Sequence, residues 1–335
     1  MTREELNNEK QEKIIKEEKK EATKKIVKKT IKWLIIILII GISFFSYTTY
    51  ISSVKVKVRE YRITDNKIPA SFNGTKIIQL SDLHYGTTMF INNLSDIVNK
   101  VNVRNPDIVV FTGDLIDNNY KLSSNNREKI IKEFQKIKAS LGKYAIMGDE
   151  DNDEFKTILN QAGFTILNNS YELIYNNDNN PILLVGLSST KKNQNIENAY
   201  SYFKQEVYNS NIYTITILHE PDTVDDIIGT YPTDLFLAGH SNNGNIRIPF
   251  LKYSIFKVDG AKKYDQDFYQ INNYKLYISS GLGTTNSSNI RLFCRPSINF
   301  FRLSNLIDIF PPILLLLLLT FTIVETLSNS DSFKG

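Results

Sequence analysis

The chain has 335 residues, of which 41% are apolar and 23% are charged, and its formal net charge is +4. This composition is ordinary for a globular protein with one large domain or two small ones. The single cysteine, Cys294, excludes an intramolecular disulfide framework. The small basic excess is unevenly distributed, so it says little about the folded body.

The N-terminal part of the chain predicts a charged tail followed by a transmembrane helix. Residues 1–31 mix lysine and glutamate, which predicts a solvated helix or disordered tail in the cytoplasm, or a segment that contacts anionic lipids. Residues 32–51 carry no charge after Lys32 and are long enough to cross a bilayer. A cleaved signal peptide fits less well, because about thirty residues precede the apolar run. A buried core helix is the third alternative.

The charges beside the apolar segments predict the orientation of the chain at the cell membrane. Lysines in residues 24–29 place the N-terminus in the cytoplasm, so residues 55–305 would form a domain on the extracytoplasmic face. Residues 309–327 favour a second transmembrane helix over a hydrophobic tail in the interface. The short tail 328–335 would then return to the cytoplasm.

The body of the chain alternates short apolar runs with helical patterns, which predicts an α/β fold with mainly parallel strands in its first half. A linker and a lead-in strand occupy 55–74. Further strands are predicted at 76–80, 107–113, 144–148, 164–167, 171–175, 182–187, 212–218, 234–238, 246–249 and 274–279. Helices are predicted at 91–104, 126–142, 152–162, 196–207 and 222–228.

Acidic residues, histidines and amides follow five of these predicted strands. Ligands of α/β proteins collect at the carboxyl ends of strands, and all three histidines of the chain lie at such places. Any one such residue is more often a turn, cap or structural residue, but the five groups together indicate a metal site. The groups are Asp82 and His84; Asp114 and Asp117; Asp149, Glu150 and Asp151; His219, Glu220 and Asp222; and His240, Asn242 and Asn245.

The ordered motifs "SDLH", "GDLID", "GDED", "LHEPD" and "GHSNNGNIRIP" resemble those of the calcineurin-like metallophosphoesterase superfamily. The resemblance covers roughly residues 74–303 and extends to a membrane-associated bacterial branch through the ending "GLGTTNSSNIRLFCRP". It implies a two-sheet α/β sandwich flanked by helices. We therefore expect this fold, with an N-terminal and a C-terminal transmembrane helix attached.

The resemblance also implies a role for each position at a pair of divalent metal ions. The first ion would be held by Asp82, His84, Asp114 and Asn242. The second would be held by Asp114, Asp149, His219 and His240. Asp114 would bridge the two ions, and Glu150 would act beside it as a catalytic residue. Two cations about 3.5–4 Å apart can clamp phosphate oxygens and activate water for attack.

Three positions depart from the family's pattern. Asp149 replaces an asparagine and keeps an oxygen ligand. Glu150 replaces the histidine that assists the leaving group, and a carboxylate beside two cations should stay ionised, so it would bind a cation or act as a base instead of donating a proton. Asn242 replaces a histidine and is a weaker ligand for zinc or iron. These oxygen ligands favour manganese, with magnesium, calcium, iron or zinc as alternatives.

The motifs and the apolar segments together predict a membrane-anchored, metal-dependent phosphohydrolase that cleaves a phosphodiester or pyrophosphate. Its partners would be membrane lipids and a phosphorylated or lipid-linked substrate. The alternative is a pseudoenzyme that binds a metal or a phosphorylated ligand without turnover. Arg247 and Arg291 are candidate phosphate contacts, although such an arginine is more often an ordinary surface or strand residue. Nothing in the sequence clearly indicates nucleic-acid binding or an obligate protein partner.

Overall fold

A computed structural model of the protein describes residues 3–248, 254, 257–285 and 290–306. The predicted second transmembrane helix, 309–327, and the tail 328–335 lie outside these residues. The chain divides into two compact units, Met1–Ile51 and Ser52–Gly335.

The first unit is built on one long helix, α1 (Arg3–Ser46), and a π-helical turn over Tyr47–Ser52 follows it. A candidate membrane span lies within Lys10–Ser52, where the apolar part of the helix is long enough to cross a bilayer by length and composition. Lysine and glutamate are good helix formers, which explains why the charged tail is helical from Arg3 onwards.

The second unit contains two six-stranded sheets with helices on their outer faces. Its strands are β1 (Lys57–Asp65), β2 (Lys76–Leu80), β3 (Ile108–Phe111), β4 (Gly142–Ala145), β5 (Thr165–Ile166), β6 (Ser170–Ile174), β7 (Ile182–Gly186), β8 (Thr214–Leu218), β9 (Leu235–Ala238), β10 (Phe268–Ile271), β11 (Tyr274–Ile278) and β12 (Ser297–Asn305). Its α-helices within the described residues are α2 (Ile91–Asn102), α3 (Ser124–Gln135), α4 (Asp153–Gln161), α5 (Ile196–Ala199) and α6 (Val224–Ile227).

Parallel strands form the centre of each sheet. The first sheet has the order β1-β12-β2-β3-β4-β5, with β2 to β5 parallel. The second has the order β10-β11-β9-β8-β7-β6, with β7, β8, β9 and β11 parallel. Leu80, Phe111 and Ala145 pair side by side, so the chain leaves β2, β3 and β4 at one edge. The predicted α/β sandwich of two sheets is confirmed.

Three apolar layers hold the sandwich together. Side chains such as Val110 and Leu237 fill the space between the sheets and are fully buried. On the outer face of the first sheet, Phe111 packs against Phe134 of α3 and Phe155 of α4, with ring centroids 6.1 and 6.2 Å apart. A third layer covers the second sheet beneath α5 and α6. Because both faces of the central strands are covered, their sequences are apolar throughout, as in "IVVF" of β3.

Several elements differ from the expectation drawn from the sequence. The expected strand 246–249 is wrong for residues 246–248, where Ile246 makes only an isolated bridge to Leu292; residue 249 lies outside the described residues. The helices expected at 196–207 and 222–228 are shorter, because short 3-10 helices take up part of each segment. The strands β10 and β12 were not expected at all, and β12 pairs with strands more than two hundred residues earlier in the chain.

Replacing Phe301 of β12 with alanine tests how far the inter-sheet packing stabilises the fold. Phe301 is fully buried and lies 5.3 Å from the ring of Tyr61 and 5.1 Å from that of Tyr277, which belongs to the opposite sheet. The cavity should lower the free energy of unfolding by about 3–5 kcal/mol in denaturant titrations of the detergent-solubilised chain. The exposed neighbour Arg302, changed to alanine, should cost less than about 1 kcal/mol. Equal losses would contradict this account.

Candidate metal centre

The predicted site residues lie where the carboxyl ends of the parallel strands of both sheets meet. They follow β2, β3 and β4 of the first sheet and β8 and β9 of the second. Hydrogen bonds join the two edges across the site: Nδ1 of His219 lies 2.7 Å from the carbonyl oxygen of Thr112, and the backbone N–H of His240 donates to Asp82 at 2.9 Å. The sandwich thus brings together residues that are far apart in the sequence.

A four-residue cluster contains Asp114, Asp149, His219 and His240. Nε2 of His219 lies 3.2 Å from Oδ2 of Asp114 and 3.2 Å from Oδ1 of Asp149. Nδ1 of His240 lies 3.3 Å from the same Asp149 oxygen and 3.1 Å from Nε2 of His219. These are the residues expected to hold the second metal ion.

In His219 and His240, the ring nitrogen that faces away from the four-residue cluster makes a hydrogen bond to a backbone carbonyl. The protonation of the other ring nitrogen then decides whether the cluster can bind a cation. His219 donates from Nδ1 to the Thr112 carbonyl, and His240 donates from Nε2 to the Asp259 carbonyl at 2.7 Å. The neutral rings then present their lone pairs inward, at nitrogens 3.1 Å apart. Facing lone pairs repel unless a proton or a metal ion binds them. The cluster therefore fits a divalent cation.

A three-residue cluster contains Asp82, His84 and Asp114, so Asp114 belongs to both groups. Nε2 of His84 lies 3.7 Å from Oδ2 of Asp114. Within the described residues, both ring nitrogens of His84 are buried without a well-directed hydrogen bond, which a bound cation would correct. Imidazole and carboxylate groups together suit divalent ions such as manganese, iron or zinc.

The backbone at the site is held in a conformation that residues other than glycine rarely adopt. Positive φ angles occur at Asp82 (49°), His84 (41°), Asp114 (59°), His240 (64°) and Asn242 (44°). Each such residue costs on the order of 1 kcal/mol and persists only where the surrounding structure enforces it. Strained residues of this kind cluster at functional sites, so the backbone independently indicates a site here.

Two glycines allow the ends of β3 and β4 to approach each other beside Asp114. A Cβ atom on Gly113, whose φ is 97°, would lie 2.5 Å from the Cα of Gly148. A Cβ atom on Gly148 would collide with the Asp114 carboxylate. Any side chain at either position would push Asp114 away from the histidines, which explains the glycine before each acid in "GDL" and "GDE".

Burial and opposite charges set the protonation of the metal-free centre. Burial raises the pKa of Asp82. Burial opposes ionisation of Asp114 too, but His219 and His84 outweigh it and hold its pKa below the usual range. Burial alone would lower the pKa of His84, but Glu150 and Asp114 raise it to about 9. The centre therefore holds protons where a loaded protein would hold cations.

Sequence reasoning assigned no role to Asp151, which the structure places directly beneath the site. Its side chain is 3% exposed and accepts backbone hydrogen bonds from Asp114 at 2.7 Å, Leu115 at 2.9 Å and Gly148 at 2.8 Å. Burial and the charge of Asp114 raise the pKa of Asp151 to about 7. Asp151 thus joins the ends of β3 and β4 and positions Asp114. In the sequence, only its position in "GDED" indicates that Asp151 belongs to the site.

Glu150 lies at the edge of the three-residue cluster. Its Oε2 lies 3.3 Å from Nδ1 of His84 and accepts from the backbone N–H of Asn118 at 3.1 Å. The backbone N–H of Glu150 donates to Oδ1 of Asp114 at 3.0 Å. Together with His84 and Asp117 it forms a further group of possible ligands. Glu150 can therefore orient His84 or approach a cation.

Asn242 lies beside Asp82, since both side chains border Gly281. Its Oδ1 accepts a hydrogen bond from Nη2 of Arg291 at 3.1 Å, so an arginine uses the oxygen that was expected to bind metal. Arg291 is fully buried, which corrects the expectation of a surface residue or phosphate contact. The guanidinium of Arg247 likewise donates to oxygens of the protein itself.

Sequence comparison finds relatives described as a metallophosphoesterase, a pyrophosphatase and a phosphodiesterase. The uncharacterized metallophosphoesterase YkuE of Bacillus subtilis is 29% identical over 267 residues, which cover 78% of this chain and 90% of that protein. The UDP-2,3-diacylglucosamine pyrophosphatase LpxG of Chlamydia muridarum is 27% identical, with coverages of 71% and 87%. The phosphodiesterase YaeI of Escherichia coli is 24% identical, with coverages of 68% and 82%.

The profile of the calcineurin-like phosphoesterase family matches residues 75–281, a range that includes every residue of both clusters. Because that match covers more than half of the chain, the protein belongs to the calcineurin-like phosphoesterase family and is a hydrolase that acts on phosphate esters.

Proposed function

We propose that the protein is a membrane-anchored hydrolase that cleaves a phosphodiester or pyrophosphate bond of a lipid-linked substrate at two divalent cations. The observation that carries the proposal is the pair of clusters that share Asp114. Enzymes of the calcineurin-like family use a dinuclear divalent centre, and one cation in each cluster would reproduce it. We assign one ion to Asp82, His84 and Asp114, and the other to Asp114, Asp149, His219 and His240.

The chain's own contribution begins with the placement of Asp114. When bound, the two cations supply positive charge for the phosphate oxygens and a water activated for attack. Oδ2 of Asp114 lies 3.2 Å from His219 and 3.7 Å from His84, and therefore between the clusters. Its Oδ1 accepts the N–H of Glu150, and its backbone is held by Asp151. The carboxylate that would be shared by the two cations is thus oriented before any ligand binds.

We assign Glu150 a positioning role towards His84. An ionised carboxylate accepts hydrogen bonds but donates none, so Glu150 cannot replace a proton-donating histidine. Oε2 of Glu150 lies 3.3 Å from Nδ1 of His84, so a small shift on cation binding would let it accept a hydrogen bond from Nδ1 and leave the lone pair of Nε2 facing Asp114. Such a carboxylate behind a ligating histidine fixes its tautomer and increases its basicity.

The absence of a proton donor at position 150 favours a pyrophosphate over an alkyl diester. An alkoxide is a strong base and needs a proton as it leaves. A phosphate monoester has a second pKa near 6 and can leave as a stable anion. This chemistry agrees with the similarity to LpxG, whose name specifies a pyrophosphatase that acts on a diacylated sugar nucleotide.

The membrane part of the proposal is supported by the apolar helix α1. A helix of this length and composition, joined to the N-terminus of the catalytic unit, would anchor that unit to a bilayer. The lysines in residues 24–29 favour a cytoplasmic N-terminus and an extracytoplasmic catalytic unit. A substrate embedded in the same membrane would then be locally concentrated.

The ligands favour manganese among the candidate cations. The two clusters hold three carboxylates and three histidines, and Glu150 adds a fourth carboxylate beside them. Oxygen ligands suit manganese or magnesium better than zinc. A metal-binding pseudoenzyme is the second candidate function. One observation favours it: Arg291 occupies the oxygen of Asn242, so three side chains are left for the first ion.

Replacement of Asp114 with asparagine tests the hydrolase against the pseudoenzyme. The variant should lose Mn²⁺-dependent hydrolysis of bis(p-nitrophenyl) phosphate by more than about 100-fold, because it removes the charge between the two cations. The matched control is Asp226→Asn at an exposed position of α6, which should keep full activity. Equal rates for Asp114→Asn and wild type would reject the proposed mechanism, and metal binding without wild-type turnover would establish the pseudoenzyme.

Replacement of Glu150 with histidine tests the leaving-group argument. The wild type should hydrolyse aryl diesters much faster when the departing phenol is acidic, because no side chain protonates it. Glu150→His should flatten this dependence by accelerating the unsubstituted phenyl esters, whereas Glu150→Gln should leave it steep. The slope of log kcat/KM against the phenol pKa is the measurement. Identical slopes in all three proteins would show that position 150 does not govern proton transfer.

Metal binding should release protons. The pKa of His84 is raised to about 9 in the metal-free centre, so the ring is protonated at neutral pH and must lose its proton to bind a cation. Affinity for Mn²⁺ should therefore rise with pH until about pH 9. Calorimetric titration at pH 7 in two buffers of different ionisation enthalpy should show at least one proton released. A pH-independent affinity would contradict the protonated centre.

A further inference from the structure

Lys191 lies at the solvent side of the four-residue cluster and contacts it through Asp149. Its Nζ lies 2.6 Å from Oδ2 of Asp149, and the lysine side chain is 62% exposed whereas that of Asp149 is 12% exposed. The other oxygen of Asp149, Oδ1, faces His219 and His240 at 3.2 and 3.3 Å. One carboxylate therefore connects the candidate metal centre to an ammonium group that solvent can reach.

The segment that carries Lys191 is held in place by Glu220, a motif residue with no role in the centre itself. Glu220 is 2% exposed and accepts a hydrogen bond from the hydroxyl of Ser189. It also accepts from the backbone N–H of Thr190 at 3.2 Å and from the Thr190 hydroxyl at 3.1 Å. Because Glu220 directly follows His219, one short sequence positions both a candidate metal ligand and Lys191.

The charge of the loaded centre explains why an ammonium group is useful there. The groups of possible ligands contain five carboxylates: Asp82, Asp114, Asp117, Asp149 and Glu150. With neutral histidines, their negative charge is no smaller than the positive charge of two divalent cations, so the centre has no net positive charge for an anionic ester. Arg291 is the cation beside Asn242, but it is fully buried and cannot meet a substrate. Lys191 supplies positive charge on the solvent-exposed side of the centre.

We propose that Lys191 binds a non-bridging oxygen of the phosphoryl group of the substrate, exchanging its bond with Asp149 for one with the substrate. Lysine suits this task because its ammonium group is a compact charge on a flexible stem. The role rests on the proposed hydrolase function, since it requires a phosphoryl ligand at the centre. It makes Lys191 a substrate-contacting residue that compensates for the acids at positions 149 and 150.

The test is a pair of titrations on the full chain in detergent, with inorganic phosphate as the probe. Phosphate binding to the Mn²⁺-loaded protein should weaken about ten- to hundredfold in Lys191→Met, because one charge-assisted hydrogen bond is lost. Mn²⁺ affinity without phosphate should stay equal or increase, because Asp149 loses a competing cation. Lys191→Arg should keep most of the phosphate affinity. Lys192→Met, in the same turn (Thr190–Lys192), should match the wild type in both titrations.

Three results would overturn this role: a wild type that binds no phosphate, an unchanged phosphate affinity in Lys191→Met, or a joint loss of phosphate and Mn²⁺ affinity in that variant. The joint loss would show that Lys191 only supports the structure. The titrations are independent of turnover, so the two proposals can fail separately. A wild type that hydrolyses no ester while Lys191→Met selectively loses phosphate would reject the hydrolase and retain the binding role.

Discussion

Buried negative charge at the meeting point of two sheets is the constraint on which the rest of the structure depends. Asp82 and Asp114 are at most 2% exposed, and unpaired carboxylates in a protein interior are strongly unfavourable. The metal-free chain balances them with the histidines His84 and His219, whose pKa values are raised as a result. The left-handed backbone at the ligands and the close approach at Gly113 bring these charges together.

Much of the sandwich could be predicted from the sequence because its central strands are short apolar runs followed by acids or histidines. The strands β2, β3, β8 and β9 carry that local signal. The strand β12 could not be predicted in the same way, because its pairing with β1 and β2 depends on residues far away in the chain. The strand expected at 246–249 is wrong over residues 246–248, because the alternation of Ile246 and Ile248 is only a local signal and the positive-φ residues Asn243 and Asn245 turn the chain just before them.

The site residues were foreseeable as a set, but their contacts were not. Motif order pointed to Asp82, His84, Asp114, His219 and His240, and the structure brings these side chains together. The sequence does not distinguish Asp151 from the other acids of an acidic turn, because its role depends on three backbone hydrogen bonds that form only in the folded chain. Arg291 was expected at the surface because a charged side chain is rarely buried without partners, and its partners are backbone carbonyls such as that of Ser280 and the amide oxygen of Asn242, which no sequence pattern indicates.

Each departure from the family's pattern has a specific partner. Asp149 pairs with Lys191, Glu150 approaches His84 and accepts from Asn118, and Asn242 accepts from Arg291. These contacts place a lysine on the solvent-exposed side of the acidic centre and an arginine on its buried side.

The central claim is that Asp114 is shared by two cations, and electron paramagnetic resonance of the Mn²⁺-loaded protein tests it most directly. Two ions bridged by one carboxylate lie close enough to couple their electron spins. The account predicts binding that saturates at two equivalents of Mn²⁺, with the spectrum of a spin-coupled pair. A spectrum of isolated ions, or saturation at one equivalent, would contradict it.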